Sequence, residues 1–496
     1  MGVTGWLLPA GLLRRLQVAG FLCASGLAFG GVGTGALKRK GGQDVIAGEL
    51  HLLFLRDSSP ARLACTIVSF LGLFGLLGAW ALVGRGLARF SSRQLLVLCL
   101  SWALPLLVAP PLFSGDIYAY VGQGHLIVNH IDPYIYGPGD YEPTSKWSYN
   151  VDGVWRFSPA PYGPLWLWLT AQAVGIPENH LVVSIYLIRG LAVVGFVLMA
   201  WAVVRLARLM GVPAQRALWL TLLNPLLLLH GLPGSHNDIH MIGLMMTGLA
   251  VAASHRNLRG VAAGSALVTL AVMIKAPAIV ALPFVPLLAG RGERRWVQIA
   301  ITAVTAGALA EGVAAATRLG WGWVSVLGGQ GERPALASLA WGVRKAATAT
   351  THALLGSSAS DTVDTGVEAL CLALLAVALI GTWLLALAGR LEPLTAAGVA
   401  LLSVFFLSFS VQPWYLAWGL VPLACTSSPR RAALLASFSG ALCLYLLPGG
   451  RSWIRPPLYG VPVLLALLVS VAVMRWFANP ATSAVPAPEY AEATAD

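Results

Sequence analysis

Apolar runs alternate with short polar connectors along almost the whole chain. Many of these runs have the roughly 17–25 residues that a helix needs to cross a hydrocarbon core. One of them, Gln94 to Phe113, ends at Ser114-Gly115-Asp116-Ile117-Tyr118-Ala119-Tyr120, so a carboxylate directly follows a membrane-length segment. An ionisable group at a membrane boundary is costly and carries a functional hypothesis by default.

Charge sorts the connectors. Arg85, Arg89 and Arg93 form one basic group; Arg205, Arg208 and Arg216 form the next. His255, Arg256 and Arg259 follow, then Arg291, Arg294 and Arg295, then Arg390, then Arg430 and Arg431. The bias of Lys and Arg towards cytoplasmic loops places all of these inside. The alternate connections, at about 113–180, 232–238, 274–277, 317–365, 411–414 and 449–457, then face outward. Parity holds if Pro161 to Val174, short and Trp-rich, is re-entrant or interfacial.

This pattern predicts an all-α polytopic membrane protein with about 13–15 transmembrane helices and both termini inside. A single domain is expected over 1–478, with large outer loops at 113–180 and 317–365. The Pro/Ala-rich, acidic residues 479–496 are expected to form a disordered cytoplasmic tail. Lys38, Arg39 and Lys40 run against the scheme, because they fall outside after the first span.

Composition excludes the main competing classes. The chain is 57% hydrophobic and 10% charged, whereas a soluble domain carries about 25% charged residues. The excess of 32 Lys+Arg over 20 Asp+Glu does not point to nucleic acid, because the cations sit in short clusters between apolar runs. The six cysteines all lie in apolar stretches without a C-x-x-C pair, and read as buried hydrophobes, not disulfides or metal ligands. Nothing at the N-terminus reads as a cleaved signal peptide.

The uncommon polar groups collect in the outward connectors. The first large loop holds Asp116, Asp132, Asp140, Glu142 and Asp152 with Tyr118, Tyr120, Tyr134, Tyr136 and several Trp. These aromatics are either an interfacial belt or a wall for pyranose rings. Asp116 is either a first-turn carboxylate of a helix or a general base that accepts a proton from a hydroxyl nucleophile. In His236-Asn237-Asp238-Ile239-His240, Asn237 or Asp238 either caps a helix or binds a phosphate or sugar hydroxyl. The spacing of His236 and His240 admits a metal, but no further ligand is evident and none is expected. Gln412-Pro413-Trp414-Tyr415-Leu416-Ala417-Trp418 is either an aromatic anchor or a wall for a lipid-linked sugar. Lys275 either snorkels to the interface or pairs with an anion. Arg451 and Arg455, with Arg333, Arg344 and Lys345, are further candidates for a phosphate. No nucleotide-binding loop is present, so an outward-facing enzyme needs a donor presented by the membrane.

Taken in this order, the Ser114–Tyr120 segment with Asp132-Pro133-Tyr134, the His236-Asn237-Asp238 turn and the 412–418 segment resemble the polyprenol-phosphomannose-dependent α-1,6-mannosyltransferases of the MptA/MptB type. These are C-type membrane glycosyltransferases of actinobacteria. The resemblance implies a plasma-membrane enzyme whose active site faces the periplasm. It implies a polyprenyl-phosphate-mannose donor, a lipid-anchored mannan acceptor such as lipomannan or lipoarabinomannan, and no cofactor. The role of general base carries over to Asp116. On this reading Lys275, His236, Arg451 and Arg455 bind the donor phosphate. Tyr118, Tyr120, Asp132, Asn237, Asp238, Gln412, Trp414 and Tyr415 are expected to bind sugar. A transporter of lipid-linked sugars is the alternative. It predicts charges near mid-bilayer, where only Lys275 and Glu311 come close. A C-type glycosyltransferase using another donor sugar is the third reading.

Overall fold

The apolar runs form helices. A computed structural model describes residues 10–36, 48, 50–178, 180–290, 295–329, 337–452, 461, 463–466 and 468–470. The expected tail, Lys38-Arg39-Lys40, Arg333 and Arg455 lie outside these residues. In chain order the principal helices are α1 (Ala10–Thr34), α2 (Ser59–Arg85), α3 (Ser92–Val108), α4 (Asp116–Val128), α5 (Pro164–Gly175) and α6 (Leu181–Leu209). There follow α7 (Ala214–Leu220), α8 (Pro225–Gly231), α9 (Asp238–Ser254), α10 (Leu258–Val272) and α11 (Arg295–Thr317). The series ends with α12 (Leu339–Leu355), α13 (Ser357–Leu387), α14 (Pro393–Leu407), α15 (Leu416–Ala424) and α16 (Pro429–Leu442). A 3-10 helix, Ala276–Phe284, follows α10. No strand occurs among the described residues; Leu446 and Ser452 form an isolated antiparallel bridge.

The protein is therefore an all-α, multi-pass membrane protein. Helices α1, α2, α6, α11 and α13 are each long and apolar enough to cross a membrane, and α3, α9, α10 and α14 are shorter apolar helices. Their outer faces suit a lipid solvent: α2 exposes Leu63, Ile67, Leu71 and Phe74, and α13 exposes Leu370, Val377 and Ile380. Inside, helices meet on small residues. A Cβ added to Gly243 on α9 would lie 2.5 Å from the Gly195 carbonyl oxygen on α6, and Gly248 and Gly264 face one another in the same way. Without a hydrophobic drive between helices in lipid, such close backbone contact supplies the packing.

Two regions depart from simple spans. The segment expected to be re-entrant contains α5, only 12 residues long, with Pro164 at its first position. It is held against the end of α10, where the N–H groups of Gly163 and Leu165 donate to the carbonyls of Ile274 (3.2 Å) and Met273 (3.0 Å). The stretch read as an outer loop at 317–365 is largely helical, containing α12 and the start of α13. Its Ala- and Thr-rich composition lacks an apolar run, yet Ala favours helix, and Arg344 on α12 pairs with Asp364 and Glu368 on α13.

Beyond α3 the chain runs through Pro110 and Pro111 to α4. The Ala36 N–H donates to the Pro111 carbonyl (2.9 Å) and the Phe113 N–H to the Pro448 carbonyl (2.8 Å). The far end of α1, the 446–452 turn and Asp116 therefore share one side of the molecule.

Candidate active site

Four segments at helix ends converge on that side: 113–116, 235–238, 273–275 and 412–418. Two of them use a residue in the left-handed backbone region, Phe113 (φ 61°) and Ser235 (φ 49°). Non-glycine residues rarely adopt this conformation, and it persists where surrounding structure enforces it. Each strained turn leads into a helix that begins with a carboxylate, Asp116 on α4 and Asp238 on α9.

The two carboxylates have different partners. The Asp116 backbone N–H donates to Ser114 Oγ (3.1 Å), and its Oδ2 lies 3.3 Å from His236 Nδ1. The His236 ring stacks on Trp414 at 3.7 Å between centroids. Asp238 is enclosed: Lys275 Nζ donates to both of its oxygens, at 2.9 and 2.8 Å, and Trp418 Nε1 donates at 2.6 Å. Lys275 also sits 4.3 Å from the centroid of Tyr415, whose ring stacks on Trp418 at 4.1 Å. Asn237 exchanges hydrogen bonds with the Tyr120 hydroxyl at 3.5 Å.

These groups border a cavity of about 710 Å3. Its lining includes Asp116, Tyr162, Lys275, Gln412, Trp414, Tyr415 and Trp418, with Asp152 and Glu368 at other points on the wall. Lys275 is the one cation among its described lining residues. Asp116 keeps 17% of its side-chain surface exposed, whereas Asp238 keeps 3%. Of these two, Asp116 is the carboxylate open to the cavity. Burial pushes the Asp116 pKa up, but the hydrogen bond and charge of His236, the Lys275 charge and Ser114 outweigh it, so the net shift is downward. Burial likewise favours neutral Lys275, and the Asp238 charge reverses this to give a net rise.

The remaining residues singled out from the sequence divide. Tyr118 and Tyr120 are buried on α4 beside the site. Asp132 is elsewhere; its carboxylate accepts the Tyr134 N–H at 2.8 Å and closes a turn. Arg451 does not line the Asp116 cavity but a neighbouring one. His240 packs on Trp166 at 4.8 Å while His236 faces Asp116. Among the described residues no group of three His, Cys, Asp or Glu converges as a metal site would require.

Residues 17–291 match the family model described as "Alpha-(1->6)-mannopyranosyltransferase, N-terminal domain", which covers more than half of the chain. The chain belongs to this family. Residues 340–476 match the model described as "MptB C-terminal domain". A protein of Mycolicibacterium smegmatis named "Probable alpha-(1->6)-mannopyranosyltransferase" is 32% identical, over 83% of this chain and 79% of its own length. "Alpha-(1->6)-mannopyranosyltransferase A" of Mycobacterium tuberculosis is 30% identical, over 90% of this chain and 87% of its own. The protein of the same name from Corynebacterium glutamicum is 25% identical, over 93% and 99% respectively. No solved structure matches the chain.

As a member of this mannopyranosyltransferase family the protein is a glycosyltransferase, and its cavity can be read as a sugar site. Sequence reasoning overlooked three contributors. Trp418, one more aromatic of the 412–418 segment, donates to Asp238. His230 stacks near Trp414 at 4.8 Å and His236 at 5.5 Å, behind the cavity wall. Arg189 is a buried cation within α6; it donates to the Leu107 carbonyl (3.0 Å), the Pro233 carbonyl (3.4 Å) and Ser235 Oγ (3.4 Å). It ties the strained turn before His236 to the end of α3. A charge inside a membrane-length run was the available signal.

Proposed function

We propose that the enzyme transfers mannose from polyprenyl-phosphate-mannose to the 6-hydroxyl of a lipid-anchored mannan at the periplasmic face of the plasma membrane, with Asp116 as general base. The observation that carries this reading is a substrate-accessible carboxylate that shares an aromatic-lined cavity with a lysine. The family relationship supports mannose as the transferred sugar.

In the proposed step Asp116 accepts the proton of the acceptor hydroxyl. The oxygen attacks C1 of a β-mannosyl phosphate from the opposite face, forming the α-1,6 bond with inversion. The C1–O bond to phosphate breaks, its electron pair stays on the phosphate, and polyprenyl phosphate leaves as an anion without a general acid. Lys275 is the cation at the cavity wall that meets this charge. His236 aims and holds the Asp116 carboxylate instead of binding phosphate, and Trp414, Tyr415 and Gln412 form the sugar wall.

Purified protein in proteoliposomes, given labelled polyprenyl-phosphate-mannose and a mannan acceptor, tests the reading. New α-1,6-linked labelled mannan is expected. Transfer only from a donor carrying another sugar, or movement of the donor across the bilayer without a new bond, would replace it with one of the two competing activities.

A further inference from the structure

A second cavity, of about 750 Å3, opens on the same side as Asp116, between the end of α1, the start of α2 and the 446–452 turn. Its volume falls within the roughly 300–1,000 Å3 of small-molecule sites. Arg56, Arg62 and Arg451 line it, against the single carboxylate of Asp57 among its described lining residues. Ser59 and the first turn of α2 contribute hydroxyl and helix-terminus character to its mouth. Leu63 and Phe70 continue the lining down α2, and Leu63 is 62% exposed on the face that meets lipid. Arg56 is braced in place by the Val32 and Gly35 carbonyls at 3.4 and 3.3 Å.

Three arginines on one cavity are out of place on the outward side, where short loops are normally poor in cations. Arg451 is exposed and Arg62 is half-buried, so neither is enclosed by the fold on that side. The 446–452 turn walls the cavity off from the Asp116 cleft: Leu447, Gly449 and Arg451 line this cavity, while Leu446 and Gly450 line the other. We propose that this second cavity binds the phosphate of an anionic phospholipid from the surrounding bilayer. The phosphate sits among Arg56, Arg62 and Arg451, and an acyl chain follows Leu63 and Phe70 along α2. A guanidinium cluster suits phosphate oxygens, and the polar mouth above an apolar floor at the end of a membrane-spanning helix matches a lipid headgroup. The site does not depend on the chemistry at Asp116.

The test uses the full chain in nanodiscs of equal parts phosphatidylcholine and phosphatidylglycerol, with retained lipid read by native mass spectrometry after transfer to detergent. The wild-type protein is expected to retain phosphatidylglycerol over phosphatidylcholine by about tenfold or more. The Arg62→Gln/Arg451→Gln variant is expected to lose most of that preference. If the double variant aggregates, Arg451→Gln alone, altered at an exposed position, is expected to lose part of it. Equal retention of both lipids by the wild-type protein overturns the proposal. So does an unchanged preference in the folded variants, and so does one-for-one displacement of phosphatidylglycerol by added polyprenyl phosphate, which would assign the cavity to the reaction itself.

Discussion

Asp116 and Asp238 begin their helices alike and end up with different chemistry. Asp238 is consumed by Lys275 and Trp418, whereas Asp116 has one histidine partner and an open side. His236 is thus the residue that tunes Asp116. In the proposed mechanism the base must be ionised, so activity is expected above the Asp116 pKa and is expected to be lost as pH falls through it. With that pKa lowered, the acid limb of the wild-type rate profile is expected below the usual carboxylate range. His236→Ala removes the largest lowering contributions and leaves burial opposed only by Lys275 and Ser114, so the acid limb is expected to move up; a pH–rate profile of the variant checks this. The Lys275–Asp238 pair is buried on both sides. Breaking such a pair from one side costs about 3–5 kcal/mol, because an unpaired charge stays buried. Lys275→Met is expected to lower thermal stability by that order, and Asp238→Asn/Lys275→Met to recover a large part of it. Additive losses in the melting curves would contradict the pairing.

The helices position the site through their starts and their small residues. Asp238 opens α9, and α9 is seated on α6 by Gly195 and Gly243. Gly243→Ala forces these backbones apart and is expected to cost about 1–3 kcal/mol, with a fall in transfer rate from displacement of the 236–238 turn. A variant with unchanged melting and activity would show that the close contact is dispensable. The individual chemical groups were legible in the sequence because Asp116, Lys275 and the 412–418 segment are rare polar or aromatic departures from an apolar background. Their pairing was not. Asp238 and Lys275 lie 37 residues apart and meet only because α9 and α10 pack antiparallel. The contact of His236 with Asp116 was hidden for the same reason: spacing along a chain does not reveal which neighbour a turn faces. The helical character of 339–355 was missed because it is set by Ala propensity and the Arg344 ion pairs and not by an apolar run.

For the molecule as a whole, sidedness organises the account. The end of α1, the 446–452 turn, Asp116, His236, Lys275 and Trp414 gather at one end, and the basic connectors at Arg256 and Arg430 follow helices that lead away from it. Single cysteines at Asp152 and at Arg256 or Arg430, all exposed positions, test this directly in intact cells. A membrane-impermeant maleimide is expected to label position 152 and to spare 256 and 430 until the cells are opened. The reverse pattern would place the site in the cytoplasm and remove the need for a membrane-borne donor.

The central claim is that Asp116 is the base. The deciding measurement is mannose transfer from labelled polyprenyl-phosphate-mannose by Asp116→Asn protein that inserts and melts like the wild type. A fall in kcat of about 10²–10⁴-fold, the usual contribution of a general base, is expected. Transfer at a near-wild-type rate would contradict it.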